Sequence, residues 1–145
     1  MEKRGTKRPH EDTYSDIKVI YFDLETTGFN GQICSMAFLS SEGGNKFTKF
    51  LIPTCSFNPR ASMINKMNVL DGKLYQNGKI VETAVPIEKG LEHFVDWLTQ
   101  LNKNYGKIVL VSGNYTAVNI FYLKILHYHA ISTTIGHILK SSLMS

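Results

Sequence analysis

The stretch from Ile17 to Gly28 reads IKVIYFDLETTG. Its first nine residues, Ile17–Glu25, are rich in β-formers and mostly apolar. A run this apolar predicts a strand buried on both faces, and hence central in its sheet. Thr26-Thr27-Gly28 breaks the run. Side chains alternate across a strand, so Asp23 and Glu25 share one face and Leu24 takes the other. Two carboxylates side by side repel, and a buried strand end does not gather them for stability alone. A divalent cation removes the conflict. Mg²⁺ wants hard oxygen ligands, few of them from protein and the rest from water and substrate phosphate. The turn that follows offers hydroxyls and N–H groups suited to a nucleotide. The blander reading, a solvated strand end capped by acids, fits D-x-E alone but not the whole string YFDLETTG.

Outward from that string, Gln32–Ser40 (QICSMAFLS) reads as a second strand and Lys46–Ile52 (KFTKFLI) as a third. Glu42-Gly43-Gly44-Asn45 between them has turn chemistry. The two form an antiparallel hairpin with the first strand beside it. Arg60–Asn68 is a short helix after Pro59. Leu70–Val85 is polar, with turns near Asp71-Gly72 and Asn77-Gly78. Pro86–Leu101 is the clearest helix: Leu91, Phe94, Val95, Leu98 and Leu101 form an apolar stripe, and a proline is tolerated at the first turn. Lys107–Ser112 (KIVLVS) is a fourth strand and Val118–Ile131 a second strong helix. The order β-β-β-α-α-β-α predicts an α/β fold, a mixed sheet with helices on its faces.

Composition narrows the function classes. The 145 residues are 43% hydrophobic and 19% charged, which excludes disordered, collagen-like and coiled-coil chains. No apolar run approaches the roughly 18 residues of a membrane span. No secretory signal is expected, so the chain reads as nuclear or cytoplasmic and not secreted. Cys34 and Cys55 lack metal-ligand spacing and read as free thiols. Of the net charge of +4, Lys3, Arg4, Lys7 and Arg8 against Glu2 place the excess in the first nine residues. Residues 1–16 are read as a basic tail, either a nuclear-import or phosphate-seeking arm or a solvated terminus, and 17–145 as the domain. Glycine-rich phosphate loops, zinc spacings and G-x-S-x-G are absent.

The string FDLETTG resembles the first motif of the DEDD superfamily of 3′–5′ exonucleases, and most of all its DnaQ-like branch, which includes the three-prime repair exonucleases. The pattern extends over roughly residues 17–131, where Val109–Leu123 (VLVSGNYTAVNIFYL) resembles the second-motif strand and helix. The resemblance implies a ribonuclease-H-like fold, Mg²⁺ or Mn²⁺ held by Asp23 and Glu25, substrate contacts from Thr26, Thr27 and Asn114, and Thr27 set against the 3′-terminal nucleotide. It implies metal-assisted hydrolysis of phosphodiesters at the 3′ ends of single-stranded nucleic acid.

The chain also departs from that pattern. Where the family's second motif carries an Asp, this sequence has Asn119, and Gly113 replaces a His. From Gly106 to Ser145 there is no acidic residue. The third motif, a fourth carboxylate with a His or Tyr base, finds no match, because His127, His129 and His137 have no Asp after them. The domain therefore reads as C-terminally truncated and its activity as weak or lost. The alternatives are a non-catalytic nucleic-acid-binding module and an inactive fragment. The apolar helix over 118–131 expects cover from a protein partner or a second copy.

Overall fold

The computed structural model describes residues 17–104, 107–114 and 117–123. The basic tail, residues 124–131 of the expected second helix, and His127, His129 and His137 lie outside them. The elements are β1 (Ile17–Thr26), β2 (Ile33–Ser40), β3 (Lys46–Ile52), α1 (Pro59–Asn65), β4 (Met67–Leu70), β5 (Lys73–Gln76), β6 (Lys79–Ile80), β7 (Val85–Pro86), α2 (Ile87–Asn104), β8 (Lys107–Asn114) and β9 (Ala117–Leu123).

A six-stranded mixed sheet runs in the order β7-β3-β2-β1-β8-β9. β1, β2 and β3 form the expected antiparallel meander, and β8 lies parallel to β1 on its other side. β1 is thus central, and the α/β mixed sheet agrees with the fold class that the sequence predicts. β7 sits at one edge and β8 beyond β1, so α2, which joins them, must cross one face of the sheet.

That crossing explains which residues are buried. Phe94, Val95, Leu98 and Leu101 of α2 are the predicted stripe, and they pack on Ile20, Phe22, Met36, Phe38, Leu51, Ile108 and Leu110 of the sheet. Aromatic rings fill the middle. Phe38 and Phe94 stand 4.2 Å apart between centroids, with Phe22 5.3 Å from Phe38 and Trp97 5.6 Å from Phe47. Gly90 lets the helix come down on β3, because a Cβ there would fall 1.9 Å from Cδ2 of Leu51.

The reading of β1 as buried on both faces is corrected. Ile20 and Phe22 are buried, but Ile17, Tyr21 and Asp23 on the other face are exposed, Tyr21 by 53%. Centrality puts a strand between two others; only an element on each side of the sheet buries both faces, and among the described residues α2 covers one.

Two further expectations change. The polar stretch after α1 is a second, three-stranded antiparallel sheet, β4-β5-β6. Its turns are the predicted Asp71-Gly72 and Asn77-Gly78, with positive φ at all four residues as tight two-residue hairpins require. Met67 and Leu74 of this sheet join Cys34 in a small second core. The other change is at β9. Residues 117–123 are a strand antiparallel to β8, not the start of a helix.

Candidate functional site at the end of the central strand

Asp23 and Glu25 lie at the C-terminal end of β1, on the face away from α2. Asp23 is exposed and Glu25 half-buried. Burial, and next the negative charge of Asp23, raise the Glu25 carboxyl above the ordinary glutamate range. Among the described residues no ion pair joins either carboxylate to a basic side chain. This is an uncompensated pair of hard oxygen donors, the donor set that suits Mg²⁺ or Mn²⁺. No third His, Cys, Asp or Glu joins them in a cluster among the described residues.

Local irregularity aims this end of the strand. The β1–β2 register slips between Glu25 and Thr26, since Glu25 pairs with Ser35 while Thr26 pairs with Ile33. Cys34 is the extra residue of this bulge, and bulges re-aim the side chains beside them. Its burial, and then the charge of Glu25, push the Cys34 thiol up to about 12, so it stays protonated at neutral pH.

The Thr-Thr-Gly turn is held tightly. The Thr27 backbone N–H donates to the Gln32 carbonyl at 2.9 Å, and Gln32 N–H donates back to Thr27 Oγ1 at 2.9 Å. Thr27 Oγ1 also shares a hydrogen bond with Cys55 Sγ at 3.3 Å. Thr27 is only 3% exposed, so its hydroxyl is spent inside the protein. Placed against a nucleotide by resemblance, Thr27 is in this structure the residue that fixes the turn. Thr26 Oγ1 donates to the Gly28 carbonyl at 3.0 Å. Gly31 closes the loop, its N–H on the Gly28 carbonyl at 2.9 Å.

Helix α1 is tied to the same turn from the other side. Asn58 N–H donates to the Thr27 carbonyl at 2.7 Å, and Asn65 Nδ2 donates to the Thr26 carbonyl at 3.1 Å. Asn58 Oδ1 caps the helix by accepting from Arg60 N–H at 2.9 Å. Between α1 and the turn opens a cleft of about 440 Å³. Glu25, Thr26, Phe29, Arg60, Ile64 and Asn65 are among its lining residues. Phe29 and Ile64 are exposed apolar side chains, Phe29 by 78%. Asp23 looks onto a neighbouring groove of about 400 Å³ with Tyr21, Leu39 and Lys46.

The structure brings Glu25 and Thr26 into one cleft and keeps Asp23 close enough to Glu25 for their charges to interact, on the neighbouring groove. Asn114 ends β8, two residues past Ser112, which pairs with Phe22; it therefore lies at the same end of the sheet as the carboxylates. Asn119 pairs with Ser112 across β8–β9, which sets its backbone two strands from Phe22, roughly 9–10 Å by strand spacing. The sequence reading places Asn119 near the start of the 118–131 helix, and its strand placement corrects that. The sequence reading missed the α1 side of the cleft, Arg60, Ile64 and Asn65, together with Phe29. An exposed phenylalanine directly after Thr-Thr-Gly was the available signal.

No protein-family model matches the sequence, and no curated protein matches it. Among solved structures the chain is similar to exonuclease X in complex with 5′-overhanging duplex DNA, with a TM-score of 0.40 and 15% identity. The likeness covers 63% of this chain and 58% of that one, less than two thirds of its length.

Proposed function

We propose that this chain is an exonuclease-like domain that binds the 3′ ends of single-stranded nucleic acid, with Asp23 and Glu25 holding Mg²⁺ or Mn²⁺ and with weak hydrolysis. One observation carries the reading: two carboxylates on one face of a strand end, unpaired with any cation among the described residues, with Glu25 lining a cleft that has an aromatic wall and Asp23 on the groove beside it. When bound, such a cation supplies positive charge at a phosphodiester and activates water.

The chain's own residues do the rest. Thr27, Gly31, the α1 cap Asn58 and Asn65 of α1 hold the turn rigid, which keeps Glu25 at the cleft without reorganisation. Phe29 offers an exposed ring on which any base can stack, worth about 1–3 kcal/mol per base. Stacking is blind to sequence, so binding without sequence preference is expected.

Calorimetric titration with Mn²⁺ tests the site. Weak binding is expected, and Asp23→Ala should abolish it. Affinity unchanged in that variant removes Asp23 from the site. Anisotropy of a labelled oligothymidylate tests the function: the wild-type chain should bind it, and Phe29→Ala should weaken binding about tenfold or more, as loss of one stacked base implies.

A further inference from the structure

Among the described residues, Arg60 is the one basic side chain that lines the cleft. Arg60, in the first turn of α1, lines it opposite the carboxylate end of β1, in the same wall as Ile64 and Asn65. Its side chain is exposed, and it has no ion-pair partner among the described residues, although Glu25 lines the same cleft. An unpaired guanidinium beside exposed apolar side chains is an arrangement complementary to a nucleotide, which carries its anion next to a flat apolar base. The backbone that carries Arg60 is anchored. Its N–H is capped by Asn58, whose own N–H is bonded to the Thr27 carbonyl. The backbone of Arg60 is therefore placed relative to the Thr-Thr-Gly turn by two hydrogen bonds in series, and its side chain lines the cleft from that fixed point.

We propose that Arg60 binds a backbone phosphate of the nucleic-acid strand, and that this contact needs no metal. The inference rests on the proposed function and goes beyond it in one respect. The cleft carries a phosphate contact separate from the Asp23–Glu25 pair, so the strand stays bound when divalent cations are removed. Without a cation the two carboxylates repel an incoming phosphate, and Arg60 is the group on the cleft wall that offsets them.

The test uses the full 145-residue chain and a fluorescein-labelled decathymidylate, with binding followed by anisotropy across a salt series in EDTA. The wild-type chain should bind, with log K falling linearly in log salt. Arg60→Gln should weaken binding several-fold and reduce the slope by about 0.7, the share of one phosphate on a single strand. Arg60→Lys should keep the slope and most of the affinity. A structural defect would lower affinity without restoring the slope through lysine, and thermal melts of each variant report folding directly. Lys73, outside the cleft, is the control: Lys73→Gln should leave both affinity and slope near wild type. If Arg60→Gln matches the wild-type slope, the proposal is overturned while the function stands. Binding that appears only with Mn²⁺ likewise overturns the metal-free contact alone. No binding in either condition overturns the proposed function together with this inference.

Discussion

At the scale of single residues, Glu25 is where stability and function pull apart. Its carboxyl is raised first by burial and second by Asp23. A group whose folded pKa exceeds its unfolded value favours the fold when protonated, so ionising it costs stability as pH rises through the folded pKa. Glu25→Gln should therefore melt higher than wild type at neutral pH. The gap should close below the ordinary glutamate value of about 4.3, where both forms are neutral. The gain is small because the side chain is only partly buried. Mn²⁺ supplies the internal check. It should raise the wild-type melting temperature by binding the fold, and raise that of the glutamine variant much less. A glutamine variant that melts lower at neutral pH would show the carboxylate to be held by favourable contacts, against the reading of an unpaired site.

At the scale of elements, the turn from Thr26 to Gly31 matters more than its length suggests. A Cβ at Gly31 would lie 2.3 Å from Thr27 Oγ1 and 2.8 Å from the Gly28 backbone, whereas one at Gly44, in the β2–β3 hairpin, meets nothing within 4 Å. Gly31→Ala should cost about 1–3 kcal/mol in urea unfolding, the usual range for overpacking, and should weaken oligonucleotide binding. Gly44→Ala should do neither. Equal effects at the two sites would remove the close approach as the reason for glycine. The strands and α2 were legible because their signals are local: alternation in Lys46–Ile52, the stripe from Leu91 to Leu101, and glycine turns at Asp71-Gly72 and Asn77-Gly78. The strands of the second sheet were not, because four residues or fewer show no periodicity. β9 was misread for a related reason. An apolar run such as VNIFYL fits a buried helix and a strand equally, and only its pairing with β8 decides. At the site, Asp23 and Glu25 were legible from one string. The α1 wall was not, since Arg60 reaches the cleft only through tertiary contacts.

At the scale of the whole molecule, the sheet order decides what chemistry the carboxylates can do. β8 lies beside β1 and β9 beyond it, so the segment that resembles a second exonuclease motif contributes strand backbone, with Asn119, an amide, two strands from Phe22. A two-cation phosphodiester hydrolysis depends on several anionic ligands acting as one unit, and losing one member commonly costs orders of magnitude, without additivity. The 145-residue chain should accordingly release few or no nucleotides from an end-labelled single strand in Mg²⁺ or Mn²⁺, while binding that strand. Asn119→Asp should not restore rapid release. It returns a charge at a strand position whose backbone is separated from β1 by the full width of β8. The assay compares the chain, Asp23→Ala, Asn119→Asp and a mock purification at equal concentration, with products resolved by length. Rapid cation-dependent shortening by the wild-type chain that vanishes in Asp23→Ala would show a complete site, and with it a ligand supplied from outside the described residues. Shortening gained only by Asn119→Asp would place that residue beside Asp23 and overturn the β8–β9 pairing as the arrangement of the working site.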